Sequence, residues 1–357
     1  MVKEKKVLVV GAGPAGVSAA YFLKKLDRDN RFIVELVDRL PSDKYRIYHD
    51  MCGECVNKEL FNEMKPLKPE GIVEEICLTR EYWPGGICIE SRMDGYLIDR
   101  SLFLESIIDA FVKEGGVFRI RRVTGVSLGG KTVKVGFDDA YRRYDYVVGA
   151  DGATSLIRRY LGLTGKTRLF YQYIVRKKPD HGVLELHYDE RYRGDYLWVF
   201  PHGDDTKIGY PADTPPDKNM FKKDDIMVRQ ARCICYGGID RYVVGNILLV
   251  GDAAGHTNPV TKGGIRPGMN AGRLAAVAIL KGDPLLYERR WRVSPFADPV
   301  FSQAFQVLEG MSNYELERHI EPFREGYGLL SYLKGLLFYR RYRVLYRAYV
   351  SSNRYGW

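Results

Sequence analysis

The run KKVLVVGAGPAG at residues 5–16 narrows the possible folds more than any other part of the chain. An apolar, strand-like segment stops at a glycine turn, a helical pattern runs on to about Leu26, and IVELVD at 33–38 reads as a second strand. Each glycine of the turn answers a separate physical need. Gly11 permits the tight turn, Gly13 lets the backbone approach a pyrophosphate, and Gly16 lets the helix pack closely on the strand. The helix N-terminus around Ala15 offers free N–H groups and partial positive charge to phosphates. Asp38 lies 22 residues after Gly16, close to the spacing of about 20 expected for an acid that binds a ribose hydroxyl. With Arg39 beside it, this acid suits an unphosphorylated ribose, so FAD or NAD is expected ahead of NADP.

Two later segments favour FAD. In VVGADGATSLIRR at 147–159 a strand ends in Asp151-Gly152 and a helix begins near Ser155. In NILLVGDAAGHTNPVTKGGIRPGMNAGRLAA at 246–276 a strand ends in Gly251-Asp252, and a loop leads to Gly263-Gly264 and another helix. An acid at a strand end can bond a ribityl chain directly or through water. A glycine pair at a helix N-terminus can present N–H groups to the flavin N1–C2=O edge, where negative charge gathers on reduction. Either segment alone would pass for an ordinary strand-turn-helix connection; their order after the first unit makes the signal specific.

These three segments resemble the large FAD family that includes glutathione reductase and p-hydroxybenzoate hydroxylase. Within it the chain is most similar to the geranylgeranyl reductase group, which saturates isoprenoid chains of archaeal lipids and chlorophyll precursors. YHDMCGE at 48–54 resembles that group's cysteine-glycine loop near the flavin, and YLWVFP at 196–201 with Gly209 resembles its substrate-site motif. NPVTKGGIRPGMNAG at 258–272 resembles the stretch after its GD motif. The likeness covers about residues 5–285 and only loosely the tail. It implies that the glycines and Ala15 hold the pyrophosphate, that Asp38 holds the adenosine ribose, and that Arg100 lies near the ribityl-pyrophosphate. It further implies that the Val123 backbone meets the adenine edge, that Asp252, Gly264 and Ile265 hold the ribityl and ring portions, and that Cys52 and Gly53 lie against the flavin. Tyr196, Trp198, Phe200 and Pro201 would wall the substrate site, with Cys52 as the catalytic candidate. The group often has glycine where this chain has Cys55, and a second thiol beside the flavin leaves redox chemistry between the pair open.

Plainer roles stand beside these. Alternation of Tyr196, Trp198 and Phe200 is also what an ordinary core strand shows. Cys52 would serve equally as a small buried hydrophobe. His256 follows the flavin loop, where a structural histidine is expected rather than a proton donor.

The expected fold class is α/β: a Rossmann-like FAD-binding domain assembled from separated segments, an inserted antiparallel β-sheet substrate domain, and a helical C-terminal region. The expected divisions are 1–165 with 240–285 for the cofactor domain (strands at 70–95 inserted), 166–239 for the substrate domain, and 286–357 for a helical, basic tail. A short helix is expected near 56–63 within an otherwise irregular stretch at 39–70. Strands joined by WPGG are expected at 72–79 and 86–92, and helices at about 100–114, 222–232 and 264–280.

A formal net charge of +10 matters through its placement: from Ser331 to Trp357 there are six Lys or Arg residues and no acid, interleaved with tyrosine and leucine. That pattern suits an anionic membrane surface or an acidic partner, and equally a solvated helical face. No nucleic-acid motif accompanies it, so no nucleic acid is expected. Residues 7–10 stop at the glycine loop and do not read as a signal peptide; the expected compartment is the cytoplasm, with peripheral contact on the inner membrane face. Cys52/Cys55 has the spacing of half a zinc site, but Cys233/Cys235 does not complete it, so no metal is expected. Cys77 and Cys88 flank the WPGG turn, where a cross-hairpin disulfide is one possible arrangement, unusual for a cytoplasmic chain.

The activity that the resemblance implies is saturation of prenyl C=C bonds in lipids by hydride from reduced FAD, the electrons coming from NAD(P)H or a ferredoxin-like carrier. An aromatic-ring monooxygenase on the same fold and a non-catalytic flavin or lipid carrier are the rival expectations.

Overall fold

The computed structural model describes residues 4–214 and 220–356. Residues 1–3 and Trp357, at the ends of the expected cofactor domain and tail, and 215–219 in the expected substrate domain, lie outside the described residues. Lys5–Val10 is the centre of a six-stranded sheet, flanked by Phe32–Asp38 and Tyr146–Gly149. Val117–Ile120 and Ile247–Leu249 extend it in parallel, and Val243–Val244 closes one edge antiparallel. Val7, Leu8 and Val9 are fully buried, as a central parallel strand covered on both faces requires.

One covering layer pairs helix Pro14–Leu26 with Ile265–Leu280. Small residues allow the approach: a Cβ on Gly272 would stand 2.2 Å from the Ala15 carbonyl oxygen. The Ser18 hydroxyl donates to the Met269 carbonyl across the same contact at 2.7 Å. Helix Arg100–Lys113 begins with the Asp99 side chain accepting from Leu102 N, close to the expected bounds.

The second sheet has eight strands, in the order Ile226–Tyr236, Lys166–Val175, Asp205–Pro211, Leu197–His202, Val183–His187, Ile72–Trp83, Ile87–Ile98, Cys55–Asn57. Its pairings are antiparallel except that between Val183–His187 and Ile72–Trp83. The hairpin expected as an insertion in the cofactor domain thus hydrogen-bonds into the sheet formed by the 166–236 strands. A third, three-stranded sheet spans Val123–Tyr144.

Two expectations are corrected here. The helix expected at 222–232 is strand Ile226–Tyr236, preceded by one helical turn at Lys223–Asp225. Continuous pairing with Lys166–Val175 overrides the weak helical pattern and directs Gln230, Arg232 and Ile234 to one face. The stretch at 39–70 contains helix Ser42–Asp50, which turns Tyr45 and His49 inward. The short helix near 56–63 is Glu59–Glu63. All six cysteines are free. Hairpin register sets Tyr82, not Cys77, opposite Cys88, which places the two thiols too far along the ladder to join.

The C-terminal region is helical as expected, with Pro284–Arg292, Pro299–Glu309, Asn313–Ile320, Leu329–Phe338 and Arg343–Tyr355. Its own core, including Phe301, Ile320, Phe323, Leu345 and Tyr346, packs on Trp83, Ile87 and Ile89 of the hairpin.

Candidate functional site

One continuous cavity runs between the two larger sheets. At one end it is lined by Gly11, Gly13, Ala15, Asp38, Arg39 and Val123, at the other by Cys52, Gly53, Trp198, Phe200, Gly264 and Ile265. Arg100, Asp151, Gly152 and Asp252 line the stretch between. Segments separated by more than 200 residues therefore meet on one surface. Neither Gly16 nor Pro201 contributes to the lining.

The glycine turn has the shape its sequence demands. Gly11 adopts φ +100°, and a Cβ there would lie 2.3 Å from the Ala150 carbonyl oxygen. A Cβ on Gly16 would lie 1.8 Å from the Gly11 carbonyl oxygen, so any side chain would force the helix off the strand. Gly13, by contrast, has nothing nearer than 3.8 Å, leaving its backbone open to the cavity. Asp38 Oδ2 accepts from Ala12 N at 2.8 Å and Oδ1 from Leu40 N at 2.9 Å, which fixes the carboxylate at the end of its strand.

The helices Pro14–Leu26 and Ile265–Leu280 both begin at this cavity, and neither has a side-chain cap. Five other helices begin with a side-chain acceptor, at Asp99, Ser155, Asp283, Asp298 and Ser312, whereas Ser42–Asp50, Glu59–Glu63, Leu329–Phe338 and Arg343–Tyr355 also lack one. The two helix ends aimed at the cavity thus leave N–H groups and positive dipole ends for an occupant to satisfy. One end suits a pyrophosphate and the other the electron-rich edge of a flavin ring. The residues present fit a flavin dinucleotide.

Asp151 is engaged differently from the sequence expectation. Its carboxylate accepts from Ser155 Oγ at 2.6 Å and from the amides of Leu156 and Ile157 at 2.7 and 3.1 Å, capping helix Leu156–Tyr160. Asp252 accepts from Thr257 Oγ1 at 2.9 Å; burial raises its carboxyl pKa against the opposing pull of Arg232 and Thr257. His256 is a structural residue. Its Nδ1 accepts from Gly251 N at 3.0 Å, Nε2 lies 3.2 Å from the Tyr287 hydroxyl, and burial lowers its pKa to about 3.

The cysteine loop is clamped from three sides. Arg100 Nε donates to the His49 carbonyl at 2.7 Å, and Gln230 Nε2 donates to Asp50 Oδ2 at 2.8 Å. The buried Lys207 ammonium donates to Asp50 Oδ1 at 2.8 Å and to Glu54 Oε2 at 2.5 Å, bridging both ends of Met51-Cys52-Gly53. Burial works to raise the Asp50 carboxyl, but Lys207 and Gln230 outweigh it and leave its pKa below the ordinary value. In Glu54 burial prevails over the same lysine and the pKa is raised. Asp50, Glu54 and His202 bring ligand atoms within 4.8 Å of one another, yet the ammonium already sits between the two carboxylates where a cation would bind. Cys52 is half-buried, and Glu54 N donates to its sulfur at 3.4 Å. Cys55 is buried, which pushes its thiol well above the usual range and keeps it protonated.

Tyr196, Trp198 and Phe200 line one side of the cavity. Trp198 lies across Gly209, where a Cβ would stand 2.0 Å from the indole, and Gly53 presses on Phe200 in the same way at 2.6 Å. The Tyr196 hydroxyl donates to the Thr261 carbonyl, tying the wall to the loop before Gly264. Trp198 Nε1 is buried without a hydrogen-bond partner.

Sequence reading missed several lining residues: Tyr48, Gln172, Gln230, Arg232 and Lys262. Gln172 and Gln230 are direct neighbours across two strands, with Nε2 of one 2.6 Å from Oε1 of the other. Reading 226–236 as a strand would have exposed the alternation that puts Gln230 and Arg232 on the inner face. Lys262 is buried in a left-handed turn (φ 54°) with Nζ 2.5 Å from Asp195 Oδ1, and burial lowers its pKa. Among the described residues, none that lines the cavity comes from the C-terminal tail.

No protein-family profile matches the chain. Digeranylgeranylglycerophospholipid reductase of Methanosarcina acetivorans is 28% identical over 335 residues, covering 80% of each chain. The enzyme of the same name from Methanocaldococcus jannaschii is 25% identical over 376 residues, covering 93% of this chain and 94% of its own. The chain is a homologue of the digeranylgeranylglycerophospholipid reductases. Among solved structures, a geranylgeranyl bacteriochlorophyll reductase-like protein from Thermoplasma acidophilum superposes with a TM-score of 0.78 at 19% identity, over 98% of this chain and 99% of that one. The p-nitrophenol 4-monooxygenase of Pseudomonas putida follows the same fold at a TM-score of 0.64 and 14% identity, over 100% of this chain and 99% of that one. The fold of these reductases is thus shared with monooxygenases, and the cavity, not the fold, must decide the chemistry.

Proposed function

We propose that this chain is an FAD-dependent reductase that saturates C=C bonds in the prenyl chains of membrane lipids or their precursors. Its homology to reductases of that name supports the substrate class. The observation that carries the reading is the single cavity that joins a pyrophosphate-shaped glycine turn to an aromatic wall and a cysteine loop. FAD would be held by Gly11, Gly13, Ala15, Asp38 and Arg39 at its adenosine end, with Val123 at the adenine edge. Arg100 and Asp252 would face its middle, and Gly264 and Ile265 its ring. When bound and reduced, FAD supplies the hydride.

The chain's own residues do the rest. Trp198 and Phe200 present an apolar surface to the prenyl chain and exclude water, which an unactivated alkene needs because it offers no electron sink. Lys207, Arg100 and Gln230 hold the Cys52 loop at a set distance from the wall, and Cys52 is the thiol nearest to a proton-donating role there. The electrons would come from NAD(P)H or a ferredoxin-like carrier that binds transiently. The enzyme would act at the cytoplasmic face of the membrane, where its substrate resides; no helix among the described residues is long and apolar enough to cross a bilayer.

The test is anaerobic incubation of dithionite-reduced protein with a digeranylgeranyl glycerolipid, followed by mass spectrometry of the lipid. Each saturated bond adds two hydrogen atoms to the lipid mass. A lipid returned unchanged by protein with full flavin content overturns the reading. A hydroxylated product formed only in air replaces it with the monooxygenase.

A further inference from the structure

Helix Leu329–Phe338 presents its apolar residues to the outside. Leu329, Leu330, Leu333, Leu337 and Phe338 are 77, 81, 45, 56 and 78% exposed. Residues 329, 333 and 337 follow one another at helical spacing, so the exposed side chains form a continuous face. The inward side is narrow. Gly335 is the buried residue of the helix, pressed so closely on Tyr346 that a Cβ would lie 2.8 Å from the ring. Elsewhere, exposed apolar residues occur singly, as at Leu285, Val293 and Tyr141, or in pairs, as at Ile72-Val73 and Met227-Val228, and not as a helix face of five.

Charge surrounds this face on one side only. No acidic residue follows Glu325, while Lys334, Arg340, Arg343 and Arg347 are exposed. Arg340 and Arg343 bend back to the Leu337 and Leu336 carbonyls at 3.2 and 3.3 Å, which holds their guanidinium groups at the C-terminal end of the apolar face. The next helix, Arg343–Tyr355, connects this surface to the cavity. Thr261 Oγ1 donates to the Gly356 carbonyl, and Arg266 Nη1 donates to the Arg354 carbonyl at 2.6 Å. Both donors belong to the loop and helix that frame the ring end of the cavity.

We propose that Leu329–Phe338 is a membrane-docking element whose leucines and Phe338 enter the headgroup–acyl boundary of an anionic bilayer, with the flanking lysine and arginines on lipid phosphates. An apolar face flanked by basic residues is what an interfacial helix requires. A second copy of the chain is the poorer occupant, because two such faces would bring like charges together. The docking deepens the prenyl-lipid reading and rests on it only for the purpose of the contact: a bilayer-bound enzyme draws substrate from the surface to which its cavity is tethered.

The experiment uses the full chain with its flavin and measures co-sedimentation with phosphatidylglycerol and phosphatidylcholine vesicles at low and high salt. The unmodified protein should bind the anionic vesicles and lose about tenfold in affinity on the neutral ones or at high salt. The triple variant Leu330→Gln, Leu333→Gln, Leu337→Gln should lose at least about tenfold on anionic vesicles. Its flavin content and its turnover of detergent-dispersed lipid should be unchanged. Should the triple variant fold poorly, Arg340→Gln with Arg343→Gln serves instead and should lose the salt-sensitive part of binding. Unmodified protein that ignores anionic vesicles, a triple variant that binds them equally well, or a dimer that the triple variant dissociates would each overturn the proposal. So would binding to polyglutamate without binding to vesicles. Vesicle binding without lipid reduction would sink the enzymatic reading and leave the docking intact; reduction in detergent without vesicle binding would do the reverse.

Discussion

Helices Pro14–Leu26 and Leu329–Phe338 are both rich in apolar residues and have opposite fates. The first buries an unbroken run from Ala15 to Leu23 between a parallel sheet and helix Ile265–Leu280. The second buries Gly335 and leaves five large side chains outside. What separates them is the availability of a second partner. Gly16, Ala15, Ala19 and Gly272 let three backbones approach within the first contact, whereas the tail helix meets its neighbours along one side, at Tyr332, Gly335 and Leu336. Apolar composition thus decides that a helix wants cover, and small residues decide where protein can supply it.

Substituting within the tight contact should have the largest effect. Gly16→Val would drive a side chain into the Gly11 carbonyl, so the purified protein should carry no flavin, read directly from its visible absorption. Retention of full colour would break the claim that close helix–strand packing makes the binding turn. Lys207→Met should follow, with turnover falling about 100-fold through displacement of the Cys52 loop. Lys207→Arg should recover part of that loss, and vesicle binding by the tail should be untouched by either. A turnover unchanged in Lys207→Met would show that the loop holds itself.

Acid should weaken both regions, to different depths. Burial holds His256, beside the cavity, at about 3 and His319, in the tail core, at about 4, against an ordinary value of 6.5. Both are neutral when folded and take up a proton when unfolded, so their stabilising contribution is complete above pH 6.5 and is lost as the pH falls toward the folded values. Each contributes a slope of about 1.4 kcal/mol per pH unit in that window, or about 2 kcal/mol between pH 6.5 and 5. Denaturant unfolding of His256→Asn and His319→Asn should show the shallower pH dependence that this requires; equal slopes in wild type and variants would assign acid sensitivity elsewhere. The smallest effect belongs to the exposed face. Leu330→Ala should change folding stability by less than about 0.5 kcal/mol, since the side chain is 81% exposed and has little contact to lose. A larger change would mean that the face is covered within the protein itself.

Much of the glycine-turn end of the cavity was legible in the sequence because its signals are local. Gly11, Gly13, Gly16 and Asp38 lie within one strand-turn-helix-strand unit, and their roles follow from backbone sterics over a few residues. The GD and GG pairs near 252 and 264 are local in the same sense. Less legible were residues whose role depends on a distant strand. Gln230 and Arg232 sit in a segment whose helical and strand patterns are close to balanced, and pairing with Lys166–Val175 settles it. Lys207 gave no sign of its part, because the carboxylates it bridges are more than 150 residues earlier in the chain.

By itself, then, the sequence determined the glycine turn, the order of the loops that line the cavity, the aromatic strand and the basic character of the tail. Only the tertiary structure decided that Asp151 caps a helix, that three donors clamp the cysteine loop, and that the tail turns its leucines to the outside. The physical reason is range. Turns and caps are set by torsion angles of neighbouring residues, while buried charge networks and exposed faces exist only once separate segments have chosen their partners.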